Sequence, residues 1–438
     1  MSQLAIQCAL KGDEVTGSDD EIFNPSKTNL QKHHLLPSKM GWFPNNITTN
    51  IDAVIIGMHA KPDNLELLRA QELAIPIYSY PEYIYQQAKN KKRVVIAGSH
   101  GKTTITAMVM HVLKAANINF DYLVGAALEG FDYQIKLTSN NDIIIIEGDE
   151  YLASPIHKVP KISYYQPHIT SISGIAWDHI NVFPTEADYV KIFEDYLLGL
   201  TKASLLIYYK NDEQLQQLVT KLVDIKSIAY QTPQFEVNNG VFEIIENNKI
   251  TPLKVFGEHN LQNITCAKLI CNQLDISDEL FYQHIKNFAG ASRRLQLLKQ
   301  GESWAVYNDF AHAPSKVAAT VNALKQLWPT RKLICIFELH TYSSLNKNFI
   351  GTYKNTLNKA DEAVVYYNQH TFEIKKLPNL SENDVATAFN HNNLKTITEK
   401  EILEKFLEQV DLDNANVLVM TSGNLSGIDV EELLTAEV

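Results

Sequence analysis

The stretch RVVIAGSHGKTTITAMVM, residues Arg93–Met110, decides how this chain folds. It runs from four apolar residues into a turn with two glycines, and then into apolar residues at helical spacing. A strand, a glycine turn and a helix in this order form a parallel α/β unit whose corner can bind phosphate. We therefore predict an α/β protein with a mostly parallel sheet around this stretch.

The glycine turn is not a strict P-loop. The pattern G-x-x-x-x-G-K-[ST] needs a glycine at position 96, where this chain has Ile96. Gly98 and Gly101 can still turn backbone N–H groups onto phosphate oxygens. Lys102 can bridge terminal phosphates, and Thr103 can offer a hydroxyl to Mg²⁺. A chance Gly-Lys-Thr corner is the alternative. The predicted phosphate-binding residues are Gly98, Ser99, His100, Gly101, Lys102, Thr103 and Thr104.

Two later strands end in groups that bind metal. The run DIIIIEGDE, residues 142–150, places Glu147 at the carboxyl end of a buried strand, where open α/β sheets bind ligands. The run WDHIN places His179 after another strand. Thr103 and Glu147 predict a magnesium site, and His179 is a candidate for a second metal ligand or a phosphate contact. A charged turn and a structural histidine are the alternatives.

Length and composition limit the class of protein. A chain of 438 residues exceeds one ordinary core, which predicts two or three domains. The net charge of −11 argues against nonspecific binding to nucleic acid or anionic membranes. No apolar run is long enough for a membrane span, and no export signal is visible, so a cytoplasmic enzyme with reduced, buried cysteines is expected.

The chain divides into three predicted domains, 1–91, 92–296 and 297–438. The first begins with a helix, a turn and a strand ending at Asp19, although the strand and glycine loop that normally open such a sheet are missing before Met1. Further elements are a strand at Asp52–Ala60 and a helix at Asp63–Ile75. The basic run Ala88–Arg93 is expected to be a solvated link. β-Hairpins are predicted around the NNG turn at 238–240.

Four further motifs follow in order: FGEHNLQNITCAKL, FAGASRRLQ, NDFAHAPSKVAAT and VMTSGNLSGI. With G-x-x-G-K-T-T and E-x-D-E ahead of them, the chain resembles the Mur ligase family over essentially its whole length. These are ATP-dependent, amide-forming ligases of peptidoglycan assembly. The resemblance implies a UDP-sugar-binding Rossmann-like domain, a central P-loop ATPase domain and a C-terminal Rossmann-like domain that carries the incoming amine.

The resemblance also implies a reaction. A carboxylate of UDP-N-acetylmuramate attacks the γ-phosphate of ATP to give an acyl phosphate, and the amine then displaces phosphate from that carbonyl. ATP and Mg²⁺ are the implied cofactors. The substrates are small molecules, and a monomer or homodimer is expected, without nucleic acid or membrane partners.

Residue roles follow from the same resemblance. Thr103 and Glu147 would hold one Mg²⁺ and His179 a second, while Lys102 would neutralise phosphate. The implied contacts of the other motif residues are adenine for Asn260 and Asn263, phosphate for Arg293, ribose for Asp309 and the incoming amine for His312. Asn260 could instead cap the helix after it, and Arg293 could be part of a solvated pair.

The incoming amine is predicted from the stretch FELHTYSSLN, residues 337–346. The L-alanine-adding branch of the family has two arginines there, which hold the carboxylate of the small amino acid. Thr341 and Ser344 stand at those positions, and Phe310 replaces an aromatic hydroxyl near Asp309. Bidentate carboxylate recognition would be lost. The pattern therefore favours the tripeptide-adding branch, which attaches L-alanyl-γ-D-glutamyl-meso-diaminopimelate during peptidoglycan recycling.

Three alternatives remain open. The L-alanine-adding activity is the nearest of them. A folate-type polyglutamate ligase shares the central ATPase. A nucleotide-binding regulator without turnover would belong to another class of protein, and the intact Lys102, Thr103, Glu147 and His179 argue against it.

Overall fold

A computed structural model describes residues 1–58, 60–154, 159–177, 182–238, 240–291 and 295–434. The helices are α1 Ser2–Lys11, α2 Ser26–Lys32, α3 Leu65–Glu72, α4 Tyr80–Ala88, α5 Lys102–Ala115, α6 Glu186–Leu198, α7 Glu213–Val219, α8 Glu258–Asn272, α9 Asp278–Ile285, α10 Pro314–Leu327, α11 Gln369–Lys375, α12 Glu382–Phe389, α13 Lys400–Glu408 and α14 Val430–Leu433.

The strands alternate with these helices over most of the chain. They are β1 Val54–Ile56, β2 Ile77–Ser79, β3 Lys92–Ala97, β4 Asp121–Leu123, β5 Ile135–Lys136, β6 Ile143–Glu147, β7 Ile169–Ile172, β8 Leu205–Tyr209, β9 Lys226–Tyr230, β10 Phe235–Asn238, β11 Val241–Glu246, β12 Lys249–Pro252, β13 Gln296–Gln300, β14 Ala305–Asp309, β15 Lys332–Glu338, β16 Glu362–Tyr366, β17 Leu394–Ile397 and β18 Ala415–Met420.

The central sheet has the strand order β5-β4-β6-β3-β7-β8-β9, and every pairing except β4–β5 is parallel. Strand β3 lies in the middle and is buried from Arg93 onward, because helices cover both faces of the sheet. After β3 the chain enters α5 on one face, where Ile105 and Met108 are fully buried. After β6 it turns to the other face, where Ile162 is buried. Such divergence opens a crevice at the carboxyl ends of β3 and β6.

The C-terminal sheet has the order β13-β14-β18-β15-β16-β17, with only β13 antiparallel to its neighbour. Its strands alternate between two cores: Tyr307 and Leu418 face the core shared with α10, whereas Val306 and Val417 face the core that contains α13 residues. The three-domain α/β architecture with mostly parallel sheets is confirmed. The boundaries at residues 91 and 296 stay predictions.

The sheet of the first unit has fewer strands than predicted. Strands β1 and β2 form a two-stranded parallel sheet, and the strand expected to end at Asp19 is absent from the described chain. That prediction was wrong because Val15 is the only apolar residue from Asp13 to Asp19, too little to hold a strand in a sheet. Ser18 instead donates a hydrogen bond to Glu66 Oε1 at 2.7 Å.

The predicted solvated link is also wrong in part. Lys91 and Arg93 are each 7% exposed. Lys91 Nζ donates to the carbonyls of Thr138 and Asn141, both at 2.7 Å, and the Arg93 guanidinium donates to Tyr165 O at 2.9 Å. Lys91 and Arg93 are therefore fixed at the start of the central sheet, because buried cations need such partners, whereas Lys89 and Lys92 are exposed.

Strands β10–β12 form the predicted antiparallel hairpins. All cysteines, Cys8, Cys266, Cys271 and Cys335, are buried and free. Among the described residues no helix is both long and apolar enough to cross a membrane.

The central and C-terminal units pack through aromatic contacts, such as Phe256 against Tyr307 at 5.6 Å between ring centroids.

Candidate active site

The loop between β3 and α5 has the shape that its glycines allow. Gly98 and Gly101 adopt φ angles of +121° and +76°, which L side chains rarely adopt. A Cβ at Gly98 would lie 2.7 Å from the backbone nitrogen of Ser173, and one at Gly101 would collide with the side chain of Asn263. The loop is thus pressed between the end of β7 and helix α8, and only glycine fits at both positions.

Helix α5 begins directly after this loop, with Gly101 as its N-cap and with no acidic residue in its first turn. The positive end of the helix dipole therefore faces the loop without a carboxylate of its own helix to offset it. Backbone N–H groups and this helix end together favour a bound anion.

Lys102 lies at the start of α5 and is held on two sides. Its Nζ donates to Gly98 O and to Glu150 Oε2, each at 2.7 Å, and Glu150 is only 1% exposed. Burial by itself would lower the pKa of the Lys102 ammonium, but the attraction of Glu150 outweighs it and raises that pKa above its ordinary value. Lys102 is thus a permanent cation beside the loop.

The two predicted ligands of one Mg²⁺ touch each other. Thr103 Oγ1 donates to Glu147 Oε1 at 2.8 Å, and the other oxygen of Glu147 accepts from Gly125 N at 2.8 Å. The contact exists because Glu147 ends β6 and pairs in register with Ile96 of β3. A hydroxyl and a carboxylate are hard oxygen donors that suit Mg²⁺, which commonly takes few protein ligands and completes its shell with phosphate oxygens and water.

The remaining metal and phosphate predictions cannot be placed. His179 and Arg293 lie outside the described residues. Within the described ranges, no group of three or more His, Cys, Asp or Glu side chains could hold a metal ion. The fit to Mg²⁺ therefore rests on Thr103 and Glu147.

Asn260 and Asn263 lie on α8 beside the loop. Asn260 Nδ2 donates to Phe256 O at 2.9 Å, and Asn263 packs against Gly101. The alternative role of Asn260 as a helix cap is wrong, because Gly257 is the N-cap and Asn260 lies inside the first turn. A small cavity next to Asn260 is lined by Thr104, Lys254, Val255, Phe256, Ala289, Gly290, Ala291 and Leu295.

The C-terminal sheet reaches the phosphate loop through the residues after β14. Asp309 is 5% exposed, and its Oδ1 accepts from Ala311 N at 2.6 Å. His312 Nδ1 is 3.0 Å from Phe310 O. Ser315 Oγ then lies 2.6 Å from Nε2 of His100 in the phosphate loop. The two sheets therefore meet at their carboxyl edges.

Some residues of this site were missed from the sequence. Glu150 was noted only as part of an acidic run, and Ser173 and Ser315 were not singled out. Their contacts join segments 48 to 215 residues apart, as with Lys102–Glu150 and His100–Ser315. No local spacing signals such pairs. The acidic strand end E-x-D-E was the one available hint for Glu150.

Family models agree with this geometry. The model described as "Mur ligase middle domain" matches residues 96–271, and "Mur ligase, glutamate ligase domain" matches residues 293–425. The chain belongs to the Mur ligase family. As a Mur ligase it is an ATP-dependent enzyme that forms amide bonds.

Two relatives of this Mur ligase by sequence are named as L-alanine ligases. By sequence it is similar to the UDP-N-acetylmuramate–L-alanine ligase of Clostridium kluyveri, with 28% identity over 81% of this chain and 79% of the relative. The enzyme of the same name from Desulfitobacterium hafniense is 23% identical over 97% of this chain and 95% of its own length.

Two solved structures, an alanine ligase and a murein peptide ligase, have the same fold as this chain. The UDP-N-acetylmuramate–alanine ligase of Thermotoga maritima matches with a TM-score of 0.69 and 20% identity, over 99% of this chain and 95% of that one. The murein peptide ligase of Psychrobacter arcticus matches with a TM-score of 0.64 and 19% identity, over the same shares of the two chains.

Proposed function

We propose that this Mur ligase joins the carboxylate of UDP-N-acetylmuramate to the amino group of an L-alanyl substrate, using ATP. The observation that carries the proposal is the contact between Thr103 and Glu147 beside the cationic Lys102. A hydroxyl, a carboxylate and an ammonium at one phosphate loop are the groups that a metal–triphosphate complex needs.

The first step brings two anions together, since a carboxylate attacks the γ-phosphate of ATP. Lys102 is suited to bind the phosphate group that is transferred, because its ammonium stays charged. To do so it needs only to replace its contact with Glu150 by one with a phosphate oxygen. A Mg²⁺ held by Thr103 and Glu147 would supply further positive charge against the same repulsion. The products are an acyl phosphate and ADP.

In the second step the lone pair of the amine attacks the acyl carbon. The C–N bond forms and the bond from carbon to the phosphate oxygen breaks. The substrate ammonium gives one proton to solvent before the attack, and the nitrogen gives a second to the departing phosphate, which leaves a neutral amide. We assign the amine to the space next to His312, whose segment contacts the phosphate loop through Ser315 and His100. Asp309, Asn260 and Asn263 would contact the nucleotide, on ribose and adenine respectively.

L-Alanine is the first candidate for the amine. The support is the set of curated relatives, in which enzymes named as L-alanine ligases match over 72–97% of this chain. The prediction of a tripeptide substrate is thus less well supported by sequence similarity than its alternative.

The tripeptide stays a second candidate because of one observation. Thr341 Oγ1 donates to Ser344 Oγ at 3.0 Å, and Ser344 Oγ donates to the backbone carbonyl of Thr341 at 3.1 Å. Ser344 is 1% exposed, so both hydroxyls have their partners within one turn. Neither can form the bidentate contact to a carboxylate that an arginine forms. A longer substrate could be anchored elsewhere, away from its reacting amino group.

A phosphate-release assay tests the proposal. Purified protein is mixed with ATP, Mg²⁺ and UDP-N-acetylmuramate, and L-alanine or the tripeptide is added in turn. We expect phosphate only when all components are present, and a higher kcat/KM with L-alanine. A higher kcat/KM with the tripeptide would reverse the order of the two candidates. Release with neither amine would reject the function.

The regulator hypothesis is tested by the same samples. A regulator without turnover would bind ATP, measured by calorimetry, but release no phosphate with either amine. Turnover of any size that depends on UDP-N-acetylmuramate would exclude it.

A further inference from the structure

Glu338 is a buried carboxylate at the carboxyl edge of the C-terminal sheet, and none of the roles above uses it. It is the last residue of β15 and is 4% exposed. Strand β15 pairs on one side with β18, and β18 also pairs with β14. Met420 is in register with both Asp309 and Phe337, so these three strands end at the same level.

A crevice is expected on both sides of β18. After β15 the chain packs Leu339 and Leu345 into the core shared with α10, whereas after β18 it packs Leu425 and Ile428 into the opposite core. Where the chain leaves neighbouring parallel strands toward opposite faces, a ligand can enter between them. Glu338 stands at this position.

The contacts of Glu338 leave its charge largely unbalanced. Oε2 accepts hydrogen bonds from the Thr421 hydroxyl and, at 3.3 Å, from Leu425 N. Oε1 is 3.9 Å from Nδ1 of His340, which is 40% exposed. Across the part of the chain that the structure describes, no lysine or arginine reaches this carboxylate.

Two other deeply buried carboxylates of the protein lie beside a cation. Glu150 meets Lys102 at 2.7 Å, and Asp121 meets Lys91 at 2.9 Å. Glu66, which is 9% exposed, instead accepts from Ser18 Oγ and Phe43 N. A buried charge without an opposite charge is unfavourable, and Glu338 is more deeply buried than Glu66. Glu338 therefore has one oxygen available to a cation that the described chain does not supply.

The backbone near Glu338 leaves room for this carboxylate. A Cβ at Gly423 would lie 2.7 Å both from Glu338 Oε2 and from His340 Nδ1. Gly423 N is instead held by Thr421 Oγ1 at 2.8 Å. The turn after β18 thus has glycine where any side chain would displace the carboxylate and the imidazole.

Glu338 is connected to the phosphate loop. Thr421, which binds Glu338, also donates its backbone N–H to Asp309 O at 3.0 Å. The segment after Asp309 ends at Ser315, which contacts His100 of the loop. A cation bound at Glu338 would therefore sit on the same edge of the molecule as the ATP site.

We propose that Glu338 binds the protonated amino group of the incoming amine and positions it. The ammonium then gives one proton to solvent, which frees the lone pair that attacks the acyl carbon. The inference rests on the proposed function. Both candidate amines, L-alanine and a peptide with N-terminal L-alanine, enter as ammonium ions at neutral pH, so one carboxylate serves either. A charge-assisted hydrogen bond between ammonium and carboxylate supplies affinity and direction.

The test compares Glu338→Gln with the wild type in steady-state kinetics. The amide keeps an oxygen for Thr421 and Leu425 but loses the negative charge. We expect the KM for the amine to rise at least about 10-fold, which corresponds to about 1.4 kcal/mol. The KM values for ATP and UDP-N-acetylmuramate and the thermal midpoint should stay close to wild type. Unchanged amine kinetics, or equal losses for all three substrates, would overturn the proposal.

Glu362→Gln is the matched control. Glu362 is the first residue of β16, the strand that pairs with β15. It therefore lies at the amino edge of the sheet, opposite the carboxyl edge that holds Glu338, and it pairs with Lys332 at 3.0 Å and Lys395 at 2.8 Å. We expect this variant to lower the thermal midpoint without changing the KM for the amine. An increase equal to that of Glu338→Gln would mean that charge loss anywhere in the sheet explains the effect.

Hydroxylamine separates positioning from general damage, because it is a largely uncharged nucleophile at neutral pH. It traps the acyl phosphate as a hydroxamate and needs no carboxylate to hold an ammonium. Glu338→Gln should form hydroxamate at the wild-type rate while it loses ligation of the amine. A parallel loss of both reactions would contradict a specific role.

A binding measurement keeps the two proposals distinct. If the wild type releases no phosphate with either amine, the proposed function fails, and calorimetry with L-alanine and with the tripeptide then tests Glu338 alone. We expect binding to the wild type in the presence of ADP and weaker binding to Glu338→Gln. Equal binding to both proteins, or no binding to the wild type, would overturn the role of Glu338.

Discussion

The carboxyl edges of the central and C-terminal sheets are built alike but carry different charges. In each, neighbouring parallel strands send the chain to opposite faces and open a crevice. At the central edge the buried charge is the pair Lys102–Glu150 next to a helix N-terminus. At the C-terminal edge the buried charged side chains include two carboxylates, Asp309 and Glu338. The polar groups that approach Glu338 among the described residues are a hydroxyl, an N–H and an imidazole.

The difference matches the charges of the proposed ligands. A triphosphate needs cations and N–H groups, whereas a substrate ammonium needs a carboxylate. One architecture can thus hold ligands of opposite charge, depending on which side chains end its strands. The contact between His100 and Ser315 brings the two edges together.

The largest expected effect comes from removing the cation of the central edge. Lys102→Ala should lower kcat by roughly 10³-fold, because a preorganised charge at the transferring phosphate is lost. It should also lower the free energy of unfolding by about 3 kcal/mol, since Glu150 then lacks its cation. Phosphate release and urea unfolding measure the two effects.

The double variant Lys102→Met/Glu150→Gln separates them. It removes both charges and should regain most of the lost unfolding free energy while activity stays low. Near-normal activity in either variant would remove the phosphate-loop argument.

The second largest expected effect tests Glu147 as a ligand of Mg²⁺. Glu147→Gln should raise the Mg²⁺ concentration for half-maximal turnover by more than about 10-fold, because a charged oxygen ligand is lost. Thr103→Val should act in the same direction. Both are followed by titrating Mg²⁺ in the phosphate-release assay. A Glu147→Gln variant with wild-type Mg²⁺ dependence would place the metal elsewhere.

A smaller effect is expected when the contact between the carboxyl edges of the central and C-terminal sheets is removed. Ser315→Ala removes one hydrogen bond to His100, which typically contributes about 1 kcal/mol. We expect kcat/KM for ATP to fall about 5-fold with an almost unchanged thermal midpoint. An unaltered kcat/KM would mean that the contact does not help to assemble the site.

The smallest effect concerns acid stability. Burial disfavours the charged Asp149 carboxylate, but Lys161 at 2.6 Å outweighs it and holds the pKa of Asp149 below its ordinary value of 3.8. A lowered pKa in the folded state stabilises the fold above pH 3.8, and this contribution is lost as the pH falls below that value. The pair is partly exposed, so its contribution should stay under about 1 kcal/mol.

Lys161→Met tests this directly by urea unfolding. The variant should be slightly less stable than the wild type at pH 7, and the difference should shrink between pH 3.8 and pH 3. A difference that stays constant with pH would show that the charge of Asp149 is not involved.

Local patterns predicted the parts of the site that local structure builds. The loop from Gly98 to Lys102 follows from a strand, glycines and a helix, and Glu147 follows from the end of an apolar run. By contrast, the quoted stretch FELHTYSSLN contains Glu338, but its importance comes from Thr421, 83 residues away. The strand expected to end at Asp19 was wrong because the residues before it are mostly polar and no neighbouring strand in the described chain pairs with them.

The most direct test of the account follows one oxygen atom. UDP-N-acetylmuramate labelled with ¹⁸O at both carboxylate oxygens is turned over with ATP and L-alanine, and the released phosphate is analysed by mass spectrometry. An acyl phosphate passes one carboxylate oxygen to phosphate, so the account predicts one ¹⁸O in each phosphate released. Unlabelled phosphate would mean that ATP is hydrolysed by water, and would contradict ligation through an activated carboxylate.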